Sequence, residues 1–326
     1  MLLTATVRKR NPCIRCVAVQ GCSAPRELRC DPTIRRLLHT TSTMMPIPRV
    51  SVEDDEEAYD HLRPYYDKQT PVILQSYART WPAITKWKEW EYLRTRLSGG
   101  DDDEWHCDVE MGTYNNSSDN GEEGGRLSIP FGAYLDYLNL YREQQQAGDG
   151  GGGDMNDNPP ILYLAQNDLP HALHSDIVLP SFLNPRPIDT TPPSRTTTAQ
   201  PRKAATLGHG KLYQCMFWMG PPRAESPLHY DPLDNLLCQV VGTKRVVLLD
   251  RDTPRDLLQV GAAYGQQENT SALPIRSMLM QGQQGMDLPF MTGELQPGDA
   301  LYIPSKWWHF VESPQDFTIS VNVWWR

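Results

Sequence analysis

The final third of the chain carries short apolar runs that are separated by Gly, Pro or Asp. The runs are rich in β-branched and aromatic residues, which is typical of β-strands joined by turns. Seven strands are predicted there, at residues 212–219, 226–231, 236–241, 244–249, 298–303, 308–312 and 318–325. So many short strands indicate an all-β core, either a sandwich or a barrel.

The preceding part of the chain mixes helical and extended patterns. Residues 71–74 form an apolar run that predicts a buried strand, and apolar residues from Trp81 to Leu93 recur at helical spacing. Three further elements are predicted, which are a helix at 85–97, a helix at 129–141 and a short strand at 161–166. We expect residues 46–160 to be an α/β portion that packs on the outside of a β core spanning 161–326.

Three stretches have the composition of surface insertions, because they lack the apolar residues needed to offset chain entropy. Residues 101–125 are acidic and rich in Gly, Ser and Asn, and residues 144–160 contain a run of consecutive glycines. Residues 184–210 are rich in Pro, Thr and Ser. We expect all three to lie on the surface of the folded part.

The first 45 residues differ in charge from the rest. They contain eight Lys or Arg and two acidic residues, a net charge of +6, whereas the whole chain carries −9 and the remainder therefore −15. An Arg-rich, acid-poor leader predicts a mitochondrial transit peptide. Two alternatives stay open: a disordered tail, or a translation start at Met44 or Met45, which would place the protein in the cytoplasm or nucleus.

The leader also holds four of the seven cysteines, at Cys13, Cys16, Cys22 and Cys30. Their spacing fits no common zinc module, so we expect unstructured thiols. The acidic remainder argues against direct binding of nucleic acid, because phosphate contacts need Lys and Arg. The chain has no apolar run of the length that crosses a bilayer, so no membrane partner is expected either.

The strongest chemical signal is the sequence His229-Tyr230-Asp231. In a strand, alternate side chains share one face, so His229 and Asp231 point in the same direction. His309 follows 78 residues after Asp231, inside a predicted strand. Two histidines and one carboxylate leave three coordination positions open, which is the arrangement of non-haem Fe(II) oxygenases. We therefore predict that these three residues bind Fe(II).

Lys244 begins an apolar strand directly after a predicted hairpin turn at Gly242-Thr243. If its side chain points into the core, its charge needs an anionic partner, such as a carboxylate of a dicarboxylic cosubstrate. If it points outward, it is an ordinary turn lysine beside Arg245. The position alone leaves both interpretations open.

Taken together, the motifs of the chain resemble those of the JmjC-domain oxygenases. Within that family the match is best with the arginyl hydroxylases that also carry the name lysine-specific demethylase. The resemblance covers about residues 46–326, interrupted by the three insertions. Its motifs are 226–232, Asn235, Gln239, Gly242, Lys244, 297–304, Trp308-His309 and 321–325, strengthened by Trp81-Pro82 with Trp87, 163–166 and 218–221.

This resemblance implies an all-β double-stranded β-helix, the cupin jelly roll, with N-terminal helices packed on its outside. It also implies Fe(II) as the metal and 2-oxoglutarate and O2 as cosubstrates. The implied metal ligands are His229, Asp231 and His309, the implied 2-oxoglutarate contacts are Tyr163, Ser226, Asn235 and Lys244, and the implied substrate pocket includes Gln166 and Trp218.

The chain departs from the family pattern at two places. Tyr230 stands where the most similar members usually have Gln. The insertion at 101–125 disrupts a segment that contributes an acidic substrate contact in relatives, and Glu110, Asp119 or Glu122 is a candidate replacement. The identity of the substrate is therefore the part of the resemblance that transfers least well.

Three functions stay open from the sequence. The first is a hydroxylase of a protein or peptide, acting on an arginyl or another side chain. The second is a histone N-methyl-lysine demethylase, which the acidic body disfavours because nucleosomal DNA would repel it. The third is a non-catalytic metal-binding cupin, which has no use for the predicted cosubstrate contacts.

Overall fold

The computed structural model describes residues 44–53, 55–98, 104–112, 125–148, 160–183, 206–280 and 288–326, and all of them belong to one compact unit. Residues 1–43 of the leader predicted at 1–45, with its four cysteines, lie outside the described residues, whereas Met45 begins the first strand. Most residues of the three predicted insertions lie outside them as well.

The helices precede the β core or interrupt it. In the described part of the chain they are α1 (Asp55–Lys68), α2 (Ala83–Lys86), α3 (Trp90–Leu97), α4 (Phe131–Gly148), α5 (Arg255–Leu258) and α6 (Ile275–Met280), with short 3-10 helices at His171–Asp176, Ser181–Leu183 and Ala262–Tyr264. None of these helices is both long enough and apolar enough to cross a membrane.

The single helix predicted at 85–97 is wrong, because α2 ends before Trp87 and α3 begins only at Trp90. Between them Glu89 is extended, with φ −91° and ψ 101°. The break accompanies a polar anchor in the core, where the Trp87 indole N–H donates to Asp176 Oδ2 at 3.1 Å. Helical spacing of the tryptophans therefore indicated a buried face but not an uninterrupted helix.

Fourteen strands occur in the described residues. They are β1 (Met45–Pro46), β2 (Arg49–Ser51), β3 (Val72–Gln75), β4 (His106–Met111), β5 (Arg126–Pro130), β6 (Leu162–Asp168), β7 (Leu212–Gly220), β8 (Glu225–Tyr230), β9 (Asp234–Val241), β10 (Lys244–Leu249), β11 (Met291–Leu295), β12 (Ala300–Ile303), β13 (Trp308–Glu312) and β14 (Thr318–Trp325). One sheet has the order β1-β11-β10-β13-β8, and the other β2-β3-β12-β9-β14-β7-β6-β4-β5.

Alternation along the strands divides the apolar residues into layers. Leu237 and Val246, from opposite sheets, belong to one cluster, which fills the space between the sheets. The adjacent Leu236 packs instead in the cluster that includes Trp87 and the faces of the N-terminal helices. Val247 belongs to a third cluster, which includes residues of α5 and α6. Two facing sheets with helices outside them form the predicted jelly-roll core.

The predicted hairpin at Gly242-Thr243 is wrong, because β9 and β10 belong to different sheets. The turn carries the chain from one sheet to the other. Gly242 has φ +69°, and a Cβ at this position would lie 2.2 Å from the carbonyl oxygen of Phe317. Only glycine fits both this conformation and this close approach. As a result Lys244, the first residue of β10, faces the opposing sheet.

The acidic stretch at 101–125 contains an unpredicted strand, β4. Cys107 and Val109 of β4 are fully buried, and the strand pairs with β5 and β6 inside the nine-stranded sheet. The alternation of these two apolar residues with polar neighbours was hidden by the composition of the surrounding stretch. Residues 46–160 therefore extend the sheet of the β core as well as covering it.

Candidate active site

Strand pairing sets the positions of the two predicted histidine ligands. His229 lies near the end of β8, and its register partner on β13 is His309. The centroids of their imidazole rings are 4.2 Å apart. Asp231 follows just after β8, and its Oδ2 lies 3.6 Å from His309 Nε2. One ligand atom from each residue lies within 4.8 Å of the others, so the three side chains converge on one point.

Both histidines are oriented in the same way. His229 Nδ1 lies 2.7 Å from the carbonyl of Pro227, and His309 Nδ1 lies 3.0 Å from the carbonyl of Trp307. A carbonyl only accepts hydrogen bonds, so each Nδ1 carries the proton and each Nε2 keeps its lone pair. Such backbone partners fix the tautomer and the ring angle of a metal-binding histidine.

Both histidines are buried, and burial keeps His309 neutral. His229 is 5% exposed and His309 is 4% exposed. Loss of hydration, together with the neighbouring His229, lowers the pKa of His309 to about 4, although Asp231 opposes the shift. The His309 ring is therefore uncharged at neutral pH, and its Nε2 carries no proton, as a metal ligand requires. The donor set, geometry and protonation state fit Fe(II).

Lys244 is buried, which decides between the two interpretations that its position left open. Its side chain is 2% exposed, and its Nζ donates to Ser320 Oγ at 2.7 Å and to Tyr163 Oη at 3.3 Å. Lys244 makes no ion pair with any of the described residues, and burial lowers the pKa of its ammonium group to about 7. A buried cation without a counter-ion suits the carboxylate of a bound dicarboxylate.

One cavity brings most of the predicted site residues together. The predicted residues that line it are Tyr163, Gln166, Trp218, Ser226, His229, Asp231, Lys244 and His309. Asn235 does not line the cavity but lies one layer behind, where its Oδ1 accepts a hydrogen bond from Asn322 Nδ2 at 3.1 Å. Asn322 itself faces the cavity. Asn235 therefore contacts the cavity wall rather than its interior.

Strand β14 supplies cavity residues that were not among the predicted site residues. Asn322 and Trp324 line the cavity, and Ser320 holds Lys244. The three residues alternate along the strand, so they share one face. Every residue of β14 is buried, so no exposed polar face marks the strand's orientation. Alternation from Ser320 to Trp324 was the signal that could have identified them.

A second depression adjoins the cavity. Gln166, His229, Asp231 and Trp324 belong to the linings of both spaces. Gln166 has φ +52°, a strained conformation that interrupts β6 and its regular pairing with β7. The depression is therefore the route by which a side chain from outside would reach the three converging ligands.

Only one of the three candidates for the acidic substrate contact lies among the described residues. Glu110 lies in β4 opposite Tyr163 of β6, whereas Asp119 and Glu122 lie outside the described residues. Because Tyr163 lines the cavity, Glu110 is on a strand next to the site.

Comparison with known families accounts for this architecture. The cupin-like domain family matches the chain over residues 58–326, which include every residue that lines the cavity. The chain belongs to this family. The predicted membership and the predicted jelly roll are therefore confirmed. The JmjC members of this cupin-like family depend on Fe(II) and 2-oxoglutarate, and the converging residues of this chain are able to hold a metal.

Three relatives show how the match is distributed. Jumonji C domain-containing protein 5 of Drosophila melanogaster is 30% identical over 306 residues, covering 90% of this chain and 63% of the fly protein. Lysine-specific demethylase 8 of Xenopus tropicalis is 25% identical over 315 residues, covering 94% of this chain and 57% of the frog protein. tRNA wybutosine-synthesizing protein 5 of Danio rerio is 35% identical over 121 residues, covering 36% of this chain and 34% of the fish protein. This cupin-like chain thus spans between half and two thirds of the first two relatives.

Proposed function

We propose that this cupin-like protein is an Fe(II)- and 2-oxoglutarate-dependent oxygenase that hydroxylates a side chain of a protein substrate, with arginine as the favoured target. One observation carries the proposal: the cavity that holds the three metal-binding side chains also holds the buried Lys244. A fold and a metal site are by themselves compatible with many activities. A buried cation beside them adds a requirement for an anionic cosubstrate.

The metal would be held by Nε2 of His229, Nε2 of His309 and the carboxylate of Asp231. Two histidines and one carboxylate on one face leave positions open for other ligands. When bound, the metal with 2-oxoglutarate and O2 supplies the oxidising power that inserts an oxygen atom into a C–H bond. The protein's own contribution at this point is the fixed orientation of both rings.

Lys244 would bind the distal carboxylate of 2-oxoglutarate. An ammonium group has three donors, and the hydroxyls of Ser320 and Tyr163 accept two of them. The third donor is left for a ligand inside the cavity. Ser226, which also lines the cavity, adds a hydroxyl from β8, in the same five-stranded sheet as Lys244. Asn235 would act through Asn322, which it contacts and which faces the cosubstrate space.

Apolar side chains would keep water from the reacting centre. Leu237, Ile303 and Val311 line the cavity together with the polar groups. A dry site strengthens the ionic contact of Lys244 and protects reactive species from side reactions. The substrate side chain would enter past Gln166, because this residue belongs to both the cavity and the open depression. Trp218 would form the wall on the Tyr163 side, where the ring centroids are 5.8 Å apart.

Demethylation of a protein N-methyl-lysine is the second candidate, because the Xenopus relative is named a lysine-specific demethylase. Both reactions oxidise a C–H bond in the same kind of site. Charge favours hydroxylation of a non-chromatin protein, since residues 46–326 carry a net charge of −15 and would be repelled by nucleosomal DNA. The same argument disfavours tRNA, after which the Danio relative is named.

Turnover with defined peptides separates these functions. The purified chain would be supplied with Fe(II), 2-oxoglutarate, O2 and a library of arginine-containing and N-methyl-lysine-containing peptides. Hydroxylation predicts succinate together with a peptide that gains one oxygen atom, and the matched His309→Ala variant should give neither. Formaldehyde with loss of a methyl group would instead support demethylation. An absence of succinate under all conditions would leave a non-catalytic cupin and overturn both oxygenase functions.

A further inference from the structure

The segment between β12 and β13, residues 304–307, touches two of the three proposed metal ligands, and we name it the clamp turn. The backbone N–H of Lys306 donates to the carbonyl of Asp231 at 2.8 Å. The carbonyl of Trp307 accepts the Nδ1 proton of His309 at 3.0 Å. One short turn therefore holds the backbone of one ligand and the ring of another.

A buried carboxylate in turn holds the clamp turn. Asp234, the first residue of β9, is 8% exposed, and its Oδ1 accepts the backbone N–H of Ser305 at 3.2 Å and the hydroxyl of Tyr302 at 2.9 Å. The Ser305 hydroxyl donates to the carbonyl of Pro232 at 3.0 Å. The clamp turn is thus bonded to the β8–β9 connection at three points, namely Asp231, Pro232 and Asp234.

The ligands differ in how much they need this support. His229 lies within β8 and is paired with His309 through the sheet, so the ladder itself fixes both backbones. Asp231 lies beyond the end of β8, where that ladder has stopped. Its main-chain contact with the clamp turn comes from Lys306, which has φ +65°. A non-glycine residue adopts this left-handed conformation only where surrounding contacts stabilise it.

We propose that Asp234 is a positioning residue of the metal site. By fixing the clamp turn through Ser305, it keeps the Asp231 carboxylate and the His309 ring at the separation that metal binding needs. Asp234 does not line the cavity, so it would act through the clamp turn. The inference rests on the proposed metal-binding function of the cluster and adds to it a residue that no motif of the chain singled out.

Asp299 provides a matched control, because it does the same for a turn away from the ligands. It is 6% exposed, its Oδ1 accepts the backbone N–H of Ser76 at 3.2 Å, and its Oδ2 accepts that of Gln296 at 3.2 Å. None of these residues lines the cavity. Removal of either carboxylate, Asp234 or Asp299, should lower stability, but only Asp234 should affect the metal.

The test is a titration of the purified, metal-free full chain with Co(II). Binding is measured from the visible absorption of the bound ion, at a temperature well below that at which the protein unfolds. We expect Asp234→Ala to weaken Co(II) binding by about 10–100-fold, the usual effect of removing a group that orients metal ligands, and to alter the spectrum. Asp234→Asn keeps an oxygen acceptor for Ser305 and Tyr302 and should bind nearly as the wild type does. Asp299→Ala should bind as the wild type does.

Each outcome decides one point. If His229→Ala binds Co(II) as tightly as the wild type, the metal function of the cluster itself is wrong. If binding depends on His229 but Asp234→Ala matches the wild type, the positioning role is wrong. If Asp299→Ala weakens Co(II) binding equally, the effect of Asp234→Ala reflects general stability and not the positioning of the ligands. Should Asp234→Ala fail to fold, Ser305→Pro removes the same N–H contact from the turn side, and unchanged affinity would again contradict the proposal.

Discussion

His229 and His309 face each other as register partners on neighbouring antiparallel strands, and their ring centroids are 4.2 Å apart. Each ring donates its Nδ1 proton to the carbonyl two residues earlier in the chain, which is Pro227 within β8 for His229 and Trp307 in the clamp turn for His309. The sheet therefore places the backbones of two of the three proposed ligands. The third, Asp231, depends on contacts at the end of the strand, and this difference shapes the predictions for the site.

Loss of one ring should abolish tight metal binding. His229→Ala leaves one histidine and one carboxylate, which is too few donors to hold Fe(II) through desalting. Iron content after anaerobic loading and desalting measures this, with about one equivalent expected for the wild type and almost none for the variant. His174→Ala removes an exposed histidine and serves as the control. Full iron content in His229→Ala would show that the metal binds elsewhere.

Replacement of Lys244 should separate cosubstrate binding from metal binding. Lys244→Met keeps the length of the side chain but removes the cation, so we expect the dissociation constant for 2-oxoglutarate to rise by about 100-fold or more. Calorimetric titration of the Mn(II)-loaded protein measures it. Mn(II) binding should not change, and Lys88→Met, which removes an exposed lysine, should behave as the wild type does. If Lys244→Met binds 2-oxoglutarate as tightly as the wild type does, Lys244 does not bind the cosubstrate.

The same lysine predicts a pH dependence of stability. Burial lowers its pKa from 10.5 to about 7 in the folded ligand-free protein. Between these two values the unfolded chain binds more protons than the folded one, so the contribution of Lys244 to the free energy of unfolding rises with pH and is least favourable below about 7. Denaturant unfolding across this window, compared with Lys244→Met, isolates that contribution. Identical slopes in both proteins would contradict a buried Lys244 that has no ion pair with the described residues.

Gly242, in the turn that precedes Lys244, should tolerate no side chain. Gly242→Ala combines a left-handed backbone with a Cβ that would lie 2.2 Å from the Phe317 carbonyl oxygen. We expect a loss of more than about 2 kcal/mol in the free energy of unfolding, measured with denaturant. Gly112→Ala is the matched control, because Gly112 also has a positive φ, +86°, but open space around its Cβ position. Gly112→Ala should lower the free energy of unfolding by the backbone strain alone, about 1–2 kcal/mol. Equal losses in the two variants would show that the close approach to Phe317 contributes nothing.

The basic leader predicts import into mitochondria. A fusion of residues 1–45 to a fluorescent protein should accumulate there, because the segment carries eight basic and two acidic residues. Replacement of Arg35 and Arg36 by Glu in the same fusion is the control and should reduce import. Diffuse fluorescence from the unaltered fusion would favour a cytoplasmic or nuclear protein.

Local patterns were sufficient for most of the β core. Each of the seven strands predicted from residue 212 onward corresponds to a strand of the structure, since alternating apolar runs and turn residues are local signals. The partner of a strand is a long-range property, so the same signals gave β9 and β10 as a hairpin although they lie in different sheets. Strand β4 was missed because its two buried residues are embedded in an acidic stretch.

The sequence predicted those site residues whose arrangement depends on nearby positions in the chain. His229 and Asp231 follow from alternation within one strand, and His309 from its place in a later one. Asp234 could not be recognised, because its role depends on Ser305, which lies 71 positions away in the chain. Contacts across that separation are set by the packing of two loops, which no periodicity in the sequence encodes.

The central claim is that the metal cluster and Lys244 form one Fe(II) and 2-oxoglutarate site, and anaerobic absorption spectroscopy tests it most directly. Addition of 2-oxoglutarate to the Fe(II)-loaded wild type should produce a metal-to-ligand charge-transfer band that saturates. The band should be absent in His309→Ala and should need far more 2-oxoglutarate in Lys244→Met. No band in the wild type, or the same saturation curve in Lys244→Met, would contradict the claim.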